Sequence, residues 1–239
     1  MNDIPGLLAW IREELKSHVD PGYRAGMVAF SREPIDPCGV RAPDVKRIAA
    51  AVYKAVKPWP VAGRNKLCDE LWSSGKFEEG GISIYVYRRF RKQCAAPEFK
   101  LFERWVDRYV RNWAHCDGVS SWLLAGCIEN DPSLIARLEP WVLSRNRWKR
   151  RAAAVSLLQE AKQGRNPDAI FKTAGARLED PDDMVQKGVG WLLKETYPKR
   201  PREVVRFLEP RKKGATRLLL RYAAEKMTPT DRARVLGRT

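Results

Sequence analysis

Residues 141–161 read WVLSRNRWKRRAAAVSLLQEA, and residues 177–197 read RLEDPDDMVQKGVGWLLKETY. The two stretches align at an offset of 36 residues. The matched pairs are Trp148 with Met184, Arg151 with Lys187, Val155 with Trp191 and Leu157 with Leu193. Lys149 against Val185 breaks the pattern. An offset of this size is typical of HEAT-like repeats, in which each pair of helices buries its apolar faces only by stacking on its neighbours.

The rest of the chain has the same helical rhythm. Apolar residues recur at spacings of three and four, as in amphipathic helices, over residues 7–15, 45–56, 99–110, 119–128, 148–161, 169–178, 184–196 and 202–209. Asp-Pro or Asn-Pro pairs, and Pro201, fall between several of these stretches and mark helix starts. We predict an all-α fold in which residues 1–239 form one HEAT-like domain, a curved solenoid of stacked helical hairpins with a concave basic face.

The net charge is +16, and it is concentrated in the second part of the chain. Residues 1–140 hold 21 Lys and Arg against 18 Asp and Glu, whereas residues 141–239 hold 24 against 11. Such an excess in one region indicates a polyanionic partner. The alternative is a generically basic, well-solvated surface.

Several function classes are disfavoured by composition. No apolar run reaches the roughly 20 residues of a membrane span, and the start MNDIPGLLAWIREELK lacks the order of a signal peptide. We therefore expect a cytoplasmic protein with no membrane partner. The five cysteines form no CxxC pair and the chain has two histidines, so we expect buried thiols, no metal and no cofactor.

Residues 112–119, NWAHCDGV, hold the most informative pair. Trp113 and Asp117 are four residues apart, so a helix presents them on one face. His115 lies two residues from each and would face away from both. The pair could be only a core indole beside a surface acid.

Cationic side chains surround Trp148 in RNRWKRRAAAV, residues 145–155. Arg151 shares a helix face with Trp148 and Val155, where it needs a partner, either a phosphate or Asp117; the alternative is a surface salt bridge. The candidate phosphate contacts are Arg147, Lys149, Arg150, Lys187 and Lys194. Such contacts would make binding sequence-tolerant and salt-dependent.

Gly188 and Gly190 precede Trp191 in a predicted helix. Glycine in a helix interior costs about 1 kcal/mol, so two of them indicate the close approach of another backbone, from a neighbouring helix or from DNA.

Five segments together resemble one known family. WAHCD (113–117), WKRRAA (148–153) and VQKGVGWLLKE (185–195) are similar to signature segments of the AlkD-type DNA alkylation repair proteins. GVRAPDVKRIA (39–49) and ELWSSGKFEE (70–79) are similar to that family's N-terminal segments. The order holds over nearly the whole chain.

The resemblance implies a HEAT-like fold and a glycosylase that acts on alkylated purines in duplex DNA. It places the catalytic carboxylate on Asp117, the aromatic companions on Trp113 and Trp191, and the basic cleft residue on Arg151. Many members carry a further acid where this chain has Ala114, which leaves Asp117 as the carboxylate of the segment.

The chemistry predicted from this resemblance is monofunctional hydrolysis of the N-glycosidic bond of N3-alkyladenine and N7-alkylguanine by a monomer. A lyase would need a pocket lysine, and the matched segments do not clearly supply one. Two alternatives stay open: a non-catalytic binder of distorted or branched DNA with the same fold, and a HEAT-type protein-interaction scaffold.

Overall fold

Aspartates and prolines set where many of the helices begin. The side chains of Asp3 and Asp20 accept hydrogen bonds from backbone N–H groups in the first turns of α1 (Ile4–Ser17) and α2 (Pro21–Phe30). Prolines also stand in the first turn of several helices, where a missing N–H costs nothing. The computed structural model describes residues 3–237, and over that range it contains helices and isolated bridges but no β-strand. The all-α prediction is confirmed.

The described residues divide into two compact units, one up to Val119 and one from Ser120 onward. The first unit continues after α2 with α3 (Ala42–Val56), α4 (Val61–Ser73), α5 (Phe77–Phe90), α6 (Ala96–Arg108) and α7 (Trp113–Gly118). The spacing in α3 explains its packing, since Val45, Ile48, Ala49, Val52 and Val56 form one buried face. Helices α3 and α4 both pack on α5.

The second unit begins with α8 (Ala125–Asn130) and a 3₁₀ segment, Pro132–Leu143. It continues with α9 (Arg147–Val155), α10 (Leu158–Gln163), α11 (Pro167–Gly175), α12 (Asp183–Thr196), α13 (Pro201–Leu208), α14 (Arg217–Ala223) and α15 (Pro229–Leu236). Its core includes Val155, Ile170, Val189, Leu192 and Leu219, all fully buried.

The internal repeat of the sequence is visible in the helix starts. Helices α9 and α12 begin 36 residues apart. Asn146 and Asp182 cap them in the same way, each side chain accepting a hydrogen bond from the N–H two residues further on. Helix α9 packs against the preceding 3₁₀ segment, and α12 packs against α11 and α9. The repeat of 36 residues therefore corresponds to paired helices.

Two predicted helices are interrupted. Residues 119–124 adopt a π-helix directly after α7, where the spacing predicts α-helix. The stretch 148–161 is divided between α9 and α10 at Ser156 and Leu157. In both places the apolar residues are those that the spacing predicts, but the backbone hydrogen bonds differ from those of one continuous α-helix.

No helix within residues 3–237 combines the length and the apolar character that crossing a bilayer requires. Four of the five cysteines are buried thiols, and Cys38 is half-buried. Burial raises the pKa of the Cys68 thiol to about 12. The prediction that residues 1–239 are a single domain stays a prediction.

Candidate functional site

Helix α7 carries the tryptophan–aspartate pair. Asn112 caps it, its Oδ1 accepting a hydrogen bond from the N–H of His115 at 2.9 Å. Trp113 is the first residue of the helix and its side chain is 40% exposed. Asp117 follows one turn later and is half-buried. The helix therefore presents both residues on one face, as their spacing predicts.

His115 points toward α5 and is held there on both ring nitrogens. Its Nε2 lies 2.9 Å from the carbonyl oxygen of Phe77, and its Nδ1 lies 3.2 Å from Nδ2 of Asn112. The ring stacks on Phe77 at 4.7 Å between centroids and meets Trp72 edge-on at 4.9 Å. A neutral imidazole that donates from Nε2 and accepts at Nδ1 satisfies both hydrogen bonds.

The surroundings of His115 disfavour its charged form. Burial lowers the pKa of His115 from 6.5 to about 4, although the hydrogen bond to the Phe77 carbonyl opposes that shift. His115 thus fastens the first turn of α7 to the start of α5, and it has no ring nitrogen left for proton transfer at neutral pH. Its role is to position the helix that carries Trp113 and Asp117.

We expect the stability of the protein to fall as the pH is lowered, with His115 as one cause. The unfolded chain takes up a proton near pH 6.5, whereas folded His115 resists it down to about pH 4. The stabilisation is complete above about pH 6.5, is lost as the pH falls through 4, and amounts to about 3 kcal/mol.

Glutamine in His115→Gln still offers one hydrogen-bond donor and one acceptor, through its amide group, but it does not titrate. Urea unfolding of the parent and of His115→Gln near neutral pH and in mild acid measures the effect. The variant should lose less stability than the parent on acidification. An equal loss in both proteins would show that His115 does not contribute to the pH dependence.

The N-terminal segments that carry the resemblance have a structural role. The buried carboxylate of Glu78 accepts backbone hydrogen bonds from Cys38, Gly39 and Val40 at 2.7, 2.9 and 3.1 Å. Gly39 has φ +92°, and a Cβ there would lie 2.9 Å from the carbonyl oxygen of Asp20. Both residues lie in the two N-terminal segments of the resemblance, and the sequence alone does not show that Glu78 holds the loop of Gly39.

Arg151 is buried, 5% exposed, on the face of α9 that the sequence predicts. Its guanidinium donates a hydrogen bond to the carbonyl oxygen of Met184, in the first turn of α12. Helix α12 also carries Lys187 and Trp191, so the second unit places Arg151 against the helix of two other predicted site residues.

The two glycines before Trp191 are explained by helix packing inside the second unit. A Cβ on Gly190 would lie 2.6 Å from Cβ of Tyr222 and 2.9 Å from the carbonyl oxygen of Leu219, both on α14. A Cβ on Gly188 would lie 3.2 Å from Cγ of Arg151. Of the two causes that the sequence leaves open, the structure shows a neighbouring helix at Gly190 and a side chain at Gly188. Trp191 itself is half-buried.

Gly190→Ala should destabilise the protein by about 1–3 kcal/mol, because the added methyl meets backbone and Cβ atoms that cannot move aside. Gly188→Ala is the matched control. Its methyl would lie 3.2 Å from Cγ of Arg151, a contact that a shift of a few tenths of an ångström relieves, and better helix propensity offsets the cost, so we expect stability within about 1 kcal/mol of the parent. Thermal or urea unfolding distinguishes the two. Equal stability of both variants would contradict the close packing of α12 on α14.

Arg150, next to Arg151, is engaged within the second unit. Its Nε and Nη2 donate to the two oxygens of Asp180 at 2.8 and 3.1 Å, and its Nη1 donates to the carbonyl oxygen of Ser144 at 3.0 Å. The side chains of Arg150 and Asp180 are 12% and 0% exposed. Burial would raise the pKa of Asp180, but hydrogen bonds from Arg150, the Asp182 N–H and Arg177 outweigh it, and the pKa is lowered. The pair is therefore a buried ion pair.

Three further predicted phosphate contacts also have partners in the second unit. Arg147 Nε lies 2.9 Å from Asp182 Oδ2. Lys149 Nζ lies 5.2 Å from the ring centroid of Trp141, in cation–π geometry. Lys194 Nζ lies 2.5 Å from Glu225 Oε2. Contact with a phosphate would have to compete with these interactions.

Lys187 is different from the other four. It lies on α12 one turn before Trp191 and is half-buried. Between residues 3 and 237 its ammonium group forms no ion pair. Of the five predicted phosphate contacts, Lys187 is the cation whose charge is not already compensated by a carboxylate or an aromatic ring.

Comparison with known proteins identifies a family and two similar folds. The family described as DNA alkylation repair enzyme matches residues 11–227. A solved structure described as a predicted DNA alkylation repair enzyme from Enterococcus faecalis has a TM-score of 0.81 at 17% identity, covering 89% of this chain and 98% of its own. The structure of smu.31 from Streptococcus mutans UA159 has a TM-score of 0.59 at 16% identity, covering 77% and 100%. A comparison with curated proteins found no match.

The chain has an all-α fold of paired helices, and its helix α7 presents an exposed indole and an aspartate on one face. The chain belongs to the DNA alkylation repair enzyme family, because that family's model matches most of its length. Membership supports a role in alkylation repair, and the two solved structures support the fold.

Proposed function

We propose that the protein is a monofunctional DNA glycosylase that removes cationic alkylpurines, N3-alkyladenine and N7-alkylguanine, from double-stranded DNA. The observation that carries the proposal is the pair on α7. Trp113 is exposed at the start of that helix and Asp117 lies one turn later, in a chain of the alkylation repair family. The protein would act as a cytoplasmic monomer without a metal.

The substrate explains why one carboxylate is enough. Alkylation at N3 or N7 gives the purine a positive charge, so the base leaves with the electron pair of the glycosidic bond and becomes neutral. The sugar carbon then develops oxocarbenium-like charge. The carboxylate of Asp117 stabilises this charge and orients the water that attacks the sugar carbon. It can also accept the proton that this water loses.

The tryptophans supply attraction for a cation. The face of an indole ring attracts a positive charge by about 0.5–2 kcal/mol, depending on desolvation. Trp113 and Trp191 would both interact with the charged nucleotide. A neutral purine gains none of this attraction and is a poor leaving group, so selectivity follows from charge.

The cations of the second unit divide into two roles under this proposal. Arg151, held by the Met184 carbonyl, would supply fixed positive charge near phosphate. Lys187 would make a phosphate contact, because its charge has no carboxylate partner within residues 3–237. Phosphate contacts set the register on the duplex and carry no sequence information.

The test is release of N7-methylguanine from methylated duplex DNA, measured by chromatography, together with retention of the duplex at rising salt. The proposal predicts base release, an abasic product without strand cleavage, and affinity that falls steeply with salt. Retention without base release would favour a non-catalytic binder. No retention at modest salt would favour a protein-interaction scaffold.

A further inference from the structure

A groove in the second unit lies apart from every residue assigned above. It runs between α13 and α15 and has a volume of about 790 Å³, within the range of about 300–1,000 Å³ that is usual for ligand-binding clefts. The exposed Pro198 and Pro201 give it an apolar lining, and Arg202 and Arg206 stand along the same wall.

Arg202 and Arg206 both lie on helix α13. They are exposed and stand one helical turn apart, about 5–6 Å between Cβ atoms. Two like charges at this spacing destabilise a helix by a few tenths of a kcal/mol. In the part of the chain described, residues 3–237, neither one forms an ion pair.

The neighbouring arginines are paired. Arg200 donates to Glu203 at 2.8 Å, and Arg234 pairs with Glu209 at 2.6 Å. Among the described residues around the groove, the charges of Arg200 and Arg234 are therefore compensated, whereas those of Arg202 and Arg206 are not.

The polar groups of the opposite wall are satisfied by one another. Tyr197 donates its hydroxyl proton to Asp231 at 2.7 Å and accepts the N–H of Thr228 at 3.2 Å. Asp231 also lies 3.6 Å from Nη1 of Arg234. The charge that the groove offers to a ligand is thus that of Arg202 and Arg206.

We propose that this groove docks an acidic peptide segment of a partner protein, one in which carboxylates stand beside apolar side chains. The carboxylates pair with Arg202 and Arg206, and the apolar side chains cover Pro198 and Pro201. A DNA backbone offers the same negative charge but has little apolar surface to place on that lining. The proposal does not depend on the glycosylase activity.

The experiment measures fluorescence anisotropy of a labelled peptide pool in which aspartates alternate with leucine, isoleucine, phenylalanine or valine. A second pool carries asparagine for aspartate, and a third carries serine for the apolar residues. The parent should bind the acidic–apolar pool most tightly. Arg202→Glu with Arg206→Glu should lose at least about tenfold in affinity, equivalent to about 1.4 kcal/mol.

Arg137→Glu with Lys162→Glu is the matched control, since both cations are exposed and make no ion pair within residues 3–237. It changes the net charge equally and should keep the parent's peptide affinity. Urea midpoints and circular dichroism check that both double variants fold. Labelled duplex DNA is titrated in parallel. The affinities of the two double variants for this duplex should differ by less than about twofold.

Three results would overturn the proposal. The first is a parent that binds the three pools equally or binds none. The second is a groove variant that binds the acidic–apolar pool as well as the control variant does. The third is a groove variant that loses duplex affinity but no peptide affinity, which would make this wall a DNA contact.

Discussion

We expect Asp117→Asn to slow release of N7-methylguanine by about 10²–10⁴-fold while duplex affinity stays within about twofold of the parent. Asparagine keeps the shape of the side chain but removes the negative charge that stabilises the developing sugar cation. Single-turnover base release and duplex retention, measured on the same preparations, separate the chemical step from binding.

Asp168→Asn provides the matched control. Asp168 is exposed in the first turn of α11. Its substitution by asparagine makes the same change in charge on a different helix. It should release the base at the parent's rate. Should Asp117→Asn turn over like the parent, Asp117 is not the catalytic carboxylate; a large loss of duplex affinity would instead point to a binding role.

Arg150→Ala is expected to lower the free energy of unfolding by about 3 kcal/mol, because it leaves a buried carboxylate without its main partner. Asp180 would keep a hydrogen bond from Arg177 at 3.2 Å, which limits the loss. Urea unfolding at neutral pH measures the effect. The pKa of Asp180 lies below its ordinary value of 3.8, so the pair's stabilisation is present above that value and is lost as the pH falls through the lower pKa.

A double variant separates a structural role from a DNA contact. Arg150→Met with Asp180→Leu removes both charges and keeps similar volume, so it should recover much of the lost stability. The single variant Arg150→Ala gives the opposite test. If it unfolds at the parent's urea midpoint and still loses duplex affinity, Arg150 contacts phosphate.

Helix α12 shows what local pattern can predict. Apolar spacing over residues 184–196 and the Asp-Pro signal at 180–181 place it correctly, because Asp182 caps it and its apolar face is buried. The π-helix at residues 119–124 shows the limit. An α-helix and a π-helix differ in which carbonyl each N–H reaches, and the spacing of apolar residues carries too little information to separate them.

The candidate site was only partly predictable for a similar reason. The spacing of Trp113 and Asp117 places them on one face once the helix is known. Arg150 forms its buried ion pair with Asp180, which is 30 residues away in the sequence. Long-range partners of this kind decide which cation is already compensated, and a local motif contains no trace of them.

The exposure of Trp113 has an optical consequence. It is the most exposed of the nine tryptophans, so a neutral quencher such as acrylamide will reach this indole most readily. Its emission will lie toward the red side of the protein's spectrum. Shielding of that component when an oligonucleotide is added would report occupancy of the α7 face in unlabelled protein.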